Sequence, residues 1–176
     1  MIKKITAFFA AAVMAVCALT SCDDSKFDPV NVEYNTTGFS TPEEVIDAYW
    51  DAFRNNDAEK LASLCCEKEY NILCEKYNVE KDEQIRQIVA AIKEELKNTK
   101  DTYSQHEPDQ WTINYGEKVD ITENYISDDY EKIGMKSAVL FRGVKLENKE
   151  SGDTLVFLNE NVPVIELEDG WYYSMT

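Results

Sequence analysis

From Thr41 onward, apolar residues recur with a helical period. Val45, Ala48, Tyr49, Ala52 and Phe53 fall on one face of such a helix. Thr41-Pro42-Glu43-Glu44 marks its start: a hydroxyl at the cap, proline at the first helical position, and a glutamate completing a capping box. Arg54-Asn55-Asn56 stops it, and Asp57 can cap a second helix whose Leu61, Leu64 and Cys65 face inward. Tyr70, Leu73, Cys74 and Tyr77 continue a helical stripe. A third, longer helix turns Ile85, Ile88, Val89, Ile92 and Leu96 inward and keeps Lys and Glu on its outer face.

The period then changes to two. Trp111, Ile113 and Tyr115 alternate with polar residues, and Val119 and Ile121 extend the pattern past Gly116, where a bulge is predicted. Met135 to Leu146 reads as a second strand, with Val139 and Phe141 on one face and Leu140 and Val144 near the other. Asn148 to Gly152 is a turn. Thr154 to Leu167 is extended with an interruption near Asn161 and Pro163, and Asp169-Gly170 is a tight-hairpin signal before Trp171-Tyr172-Tyr173. Helices first and a strand meander after them predict an α+β domain, with helices packed in an antiparallel sheet.

The first 22 residues follow a different grammar. Lys3 and Lys4 precede an almost wholly apolar run from Ile5 to Leu19, too short for a comfortable membrane span. Leu19-Thr20-Ser21-Cys22 closes it. This segment resembles a bacterial lipoprotein signal, whose lipobox is Leu, two small residues and Cys. The resemblance implies cleavage before Cys22, acylation of its sulfur and amine, and attachment to a membrane outside the cytoplasm. Two or three acyl chains suffice for stable anchoring. The alternative is an ordinary secretory signal with an incidental cysteine. Asp23-Asp24 after the cysteine resembles an inner-membrane retention signal in some lineages and a surface-export signal in others.

The organisation predicted is a leader over 1–21, a lipidated Cys22 with a polar tether through 40 (Pro29, Asn35, Gly38), and one domain over 41–176. The whole chain carries a formal charge of −16. Without the leader's two lysines, 16 basic residues face 34 acidic ones, a net −18. That balance excludes a nucleic-acid partner and keeps the domain soluble beside a membrane. Cys65, Cys66 and Cys74 remain as an odd set, which gives no disulfide framework and reads as small buried residues on a helix.

Thr41-Pro42-Glu43-Glu44-Val45, Tyr49-Trp50-Asp51-Ala52-Phe53, Asn55 to Leu61, and the closing Glu168-Asp169-Gly170-Trp171-Tyr172 together resemble nuclear transport factor 2-like (cystatin-like) domains. The resemblance covers the opening helices and the last hairpin; between Glu67 and Ile133 it extends only to the order of elements. It implies a curved antiparallel sheet wrapped on the first helix, forming a cone with a mouth. Relatives include enzymes such as ketosteroid isomerases, and modules that only bind or form homodimers through the sheet. None of the enzymes' motifs is present, so the resemblance assigns no catalytic residue.

The residues themselves select little chemistry. The single histidine, His106, sits in Gln105-His106-Glu107-Pro108 and reads as a solvated loop residue; no nucleophile elbow accompanies it. The acids are scattered and select no pair. Asp128-Asp129 with Glu131, and Glu150 to Asp153, lack calcium-loop spacing. No metal, cofactor or phosphate loop is predicted. Tyr49, Phe53, Trp111, Tyr115 and Phe141 are the candidates to line the concave side, with plain core packing as the alternative. The function expected is a lipid-anchored, non-catalytic envelope module that binds a small molecule or a protein. The competing expectation is a cone-cavity enzyme doing acid/base chemistry on a small apolar substrate.

Overall fold

The structure, a computed structural model, describes residues 32–34, 36–103, 110–125, 127–156 and 160–174, with the side chains of 98–103 and 156 left aside. Cys22, the leader and His106 lie outside these residues. The described chain is α+β. Helices α1 (Pro42–Arg54), α2 (Ala58–Ser63), α3 (Glu67–Tyr77) and α4 (Lys81–Tyr103) come first. Strands β1 (Trp111–Asn114) and β2 (Glu117–Asp120) follow, then a 3₁₀ turn (Thr122–Tyr125) and a short α5 (Asp128–Lys132). Strands β3 (Ser137–Arg142), β4 (Lys145–Asn148), β5 (Thr154–Val156), β6 (Asn161–Leu167) and β7 (Gly170–Tyr173) complete it.

The start of α1 is capped as its sequence demands: Thr41 Oγ1 accepts from the Glu44 amide at 3.3 Å, while the Glu44 carboxylate accepts from the Ser40 amide at 2.9 Å. Asp57 caps α2 by accepting from the Lys60 amide at 2.8 Å. Asn78 closes α3 in the left-handed conformation with φ 52°.

The strands form two antiparallel sheets, ordered β1-β4-β5 and β2-β3-β6-β7. They are two halves of one bent ribbon system. Asn114 opposes Lys145 in the first sheet, and Glu117 opposes Arg142 in the second, three residues later on one strand and three earlier on its antiparallel partner. Pairing therefore runs through the bend in unbroken register. Gly116 and Gly143 make the bend with φ of +66° and +76°. A Cβ on Gly116 would stand 2.1 Å from the Arg142 carbonyl oxygen, so the crossing admits only glycine there. The strand expected over Met135–Leu146 is accordingly two, β3 and β4, split at Gly143. On the other flank, Lys145 opposes Val156 and Arg142 opposes Asn161.

Helix α1 packs on β6 and β7, and α2 lies against α1 and α4. Between these helices and the sheets sits the main core, with Val45, Ile46, Val89, Leu146, Val162 and Val164 all fully buried. A second, smaller core lies against Ala138, Ile165, Leu167 and Tyr172, covered by Tyr125 and Tyr130 from the 3₁₀ turn and α5.

The segment expected as tether is docked for part of its length. Val32, Tyr34 and Phe39 pack against the main core. Phe39 exchanges both backbone hydrogen bonds with Trp171, each 2.9 Å, on the outer side of β7. Apolar side chains at 32, 34 and 39 favour burial over a solvated linker.

Candidate functional site

The five aromatic candidates come together, and they do so as packed core. Tyr49, on the buried face of α1, is 1 % exposed and stacks on Tyr173 with ring centres 5.5 Å apart. Phe53, one turn on, lies beside Trp50 at 5.8 Å. Phe141 from β3 is fully covered, and Tyr115 at the bend lies 6.2 Å from it. Trp111 opens β1 and is buried in the same core. Ring faces and edges meet at distances typical of aromatic packing. Tyr115 alone reaches the rim: its hydroxyl donates to Asp47 Oδ1 at 2.7 Å. Burial, reinforced by the Asp47 carboxylate, pushes that phenol up to about 12. Beside it, Lys118 pairs with Glu43 at 3.1 Å and stands 5.7 Å from the Phe141 ring centre. A hollow of about 470 Å³ lies elsewhere, between Thr37–Ser40 and the β6–β7 hairpin, with Lys136, Glu166, Asp169 and Trp171 on its wall. None of the five aromatics lines it.

A polar centre that sequence reasoning missed lies under the second core. Glu69, in the first turn of α3, is fully buried. Its Oε1 accepts from the Tyr130 hydroxyl at 2.9 Å and from the Ser174 hydroxyl at 2.8 Å. Ser174 in turn accepts from the Tyr125 hydroxyl at 3.1 Å, and the rings of Tyr125 and Tyr130 meet edge to face at 4.9 Å. The Glu69 amide donates to Cys66 Sγ at 3.3 Å, so the thiol caps α3. Two segments, α5 and the residue after β7, bond the carboxyl itself; the 3₁₀ turn joins through Ser174, and the α2–α3 turn through the Glu69 amide. The arrangement can hold those segments in register through charge-assisted or neutral hydrogen bonds that solvent does not reach. A signal was present in the sequence: Glu69 stands one turn before Leu73 and two before Tyr77, on the apolar stripe itself.

The thiols are kept inert by position. Cys65 belongs to the main core and Cys66 to the second, although they are neighbours in the chain. Burial, then the nearby Glu69 carboxyl, pushes Cys66 up to about 12, and burial raises Cys65 well above its ordinary value. Cys74, half-buried on α3, is raised by burial as well. Among the described residues no group of three or more His, Cys, Asp and Glu side chains is arranged to hold a metal ion. Other buried polar atoms have no hydrogen-bond partner among the described residues: Tyr34 Oη, both amide atoms of Gln84, and Gln87 Oε1. Gln84 is the extreme case, with no exposed surface.

No protein-family model, curated protein or solved structure matches the chain.

Proposed function

We propose that this protein is a lipid-anchored lipoprotein of the bacterial cell envelope carrying a nuclear transport factor 2-like domain that acts as a non-catalytic binding module. The observation that carries the non-catalytic part is the packing of Tyr49, Phe53, Trp111 and Phe141 into one buried core. Side chains buried together in a close-packed core do not present a surface to a substrate. The buried carboxyl of Glu69 is occupied by hydroxyl donors from its own chain, which suits a structural latch. The fold-family reading is supported by α1 packing on β6 and β7 and by the breaks at Gly116 and Gly143, which face each other across the sheet. The anchoring part is supported by the tetrad Leu19-Thr20-Ser21-Cys22 behind a basic, apolar leader.

Two measurements test it. Cys22→Ala is expected to move the protein from the membrane pellet to the soluble fraction; sedimentation unchanged would refute the anchor. Purified domain is expected to show a saturable binding isotherm for an envelope ligand without turnover. A turnover abolished by Tyr115→Phe or by Asp47→Asn would overturn the binding-module reading.

A further inference from the structure

We infer that the end of the domain formed by the α3–α4 turn is the face held against the membrane, its partner being the zwitterionic headgroup layer. This rests on anchoring at Cys22. The described chain begins beside the first turn of α4, which is therefore its exit point toward Cys22. Val32 and Tyr34 pack on the core, the Tyr34 ring meets Tyr70 edge-on at 5.3 Å, and Lys81 Nζ stands 4.9 Å from the Tyr34 ring centre. Nine residues, 23–31, separate Cys22 from Val32. Ten Cα steps span at most about 33–36 Å. Helix α4 has 23 residues and starts at this exit point. Such a helix is about 33 Å long. The far end of α4 could touch the bilayer only with the connecting chain drawn straight along the helix, whereas the α3–α4 turn can touch it at any extension.

The turn has the side chains for such a surface. Tyr77 and Val79 are half-buried, and Lys76 Nζ stands 5.6 Å from the Tyr77 ring centre. Tyrosine rings favour the headgroup level, and lysines beside them extend their stems over apolar surface toward phosphate oxygens. Glu75, Glu80 and Asp82 are exposed on the same turn. These carboxylates oppose an anionic lipid surface and leave a zwitterionic one as the fit.

The test uses the full lipidated chain in phosphatidylethanolamine–phosphatidylcholine vesicles doped with a headgroup energy acceptor. A donor amino acid is placed at Asn78 or at Lys97, both exposed. Lys97 lies about 24 Å further along α4 than Lys81. Energy transfer is expected to be several-fold larger from position 78, and a long Gly-Ser insertion after Asp24 is expected to level the two. Equal transfer from both positions, in protein that pellets with the vesicles, overturns the inference and leaves the anchor standing. Protein that does not pellet overturns the anchor and the inference with it. Replacing part of the lipid by phosphatidylglycerol is expected to lower transfer from position 78; a rise overturns the zwitterionic assignment.

Discussion

Glu69→Ala is the most direct probe of the buried polar centre. The substitution removes the acceptor that Tyr130 and Ser174 share, at 2.9 and 2.8 Å, from a site with no exposed surface. Removing the acceptor of a buried hydroxyl costs about 1–3 kcal/mol. With the space vacated by the side chain, the total comes to roughly 3–5 kcal/mol. A domain of this size shifts by about 2–5 °C in Tm per kcal/mol, so a fall of roughly 6–25 °C is expected by circular dichroism. The sharper readout is a double-mutant cycle in urea. Tyr130→Phe alone removes one hydrogen bond and is expected to cost about 1 kcal/mol. In the Glu69→Ala background the same change deletes a hydroxyl that has already lost this acceptor, so it is expected to cost clearly less. If Tyr130→Phe costs the same in both backgrounds, or if Glu69→Ala lowers stability by less than about 1 kcal/mol, the centre does not hold its segments together as argued.

Three further outcomes follow from other parts of the molecule. Gln84→Met replaces a sealed amide that has no hydrogen-bond partner by an apolar chain of similar length. It is expected to raise the urea midpoint, by about 1–2 kcal/mol of stability; a fall would show that the amide is satisfied in solution. Gly170 has φ +135°, and a Cβ there would approach the Phe39 carbonyl oxygen to 2.8 Å. Gly170→Ala is expected to cost about 1–3 kcal/mol and to speed hydrogen exchange at the Phe39 and Trp171 amides first; uniform acceleration across the domain would contradict that local origin. Cys66 is raised from 9.0 to about 12 and Tyr115 from 10.0 to about 12, so the folded state keeps protons that the unfolded chain gives up. Stability from these groups is complete below about pH 9 and is lost as pH climbs through the window from 9 to 12. Tyrosinate absorbance at 295 nm should therefore rise together with loss of far-ultraviolet ellipticity; phenols ionising at ordinary values in a still-folded chain would contradict it.

Local rules read much of this fold correctly. The cap at Thr41 and the apolar ladder from Val45 to Phe53 are short-range features, and α1 follows them. The ladder Ile85, Ile88, Val89, Ile92 and Leu96 is buried on α4 as its spacing demands. Asp169-Gly170 does turn β6 into β7. What was hidden depends on partners distant in the chain. The split between β3 and β4 is set by Gly116 crossing Arg142, a contact between residues that only register brings together. The extended run from Thr154 to Leu167 is divided, with β6 beginning at Asn161, but Pro163, expected at the same interruption, lies within β6 opposite Leu140. Its carbonyl accepts from the Ser174 amide at 3.0 Å, so the return bond that proline cannot donate falls opposite Ser174, where β7 has ended. The 3₁₀ turn and α5 carry too few residues for a period to show; Asp128, Asp129 and Glu131 drew notice only as acids. The aromatic set was located as a group, and its packing role needed the third dimension to decide.

The Phe39–Trp171 pairing has a practical side. It covers the Trp171 end of the outer flank of β7, which would otherwise offer an unpaired amide and carbonyl to any passing strand, while Leu64 holds the Tyr173 end. A recombinant version trimmed to begin at the first helix would bare that flank and recruit its own copies into aggregates. Starting the chain at or before Val32 keeps the guard in place, so the residues that look dispensable on paper are the ones that keep the protein in solution.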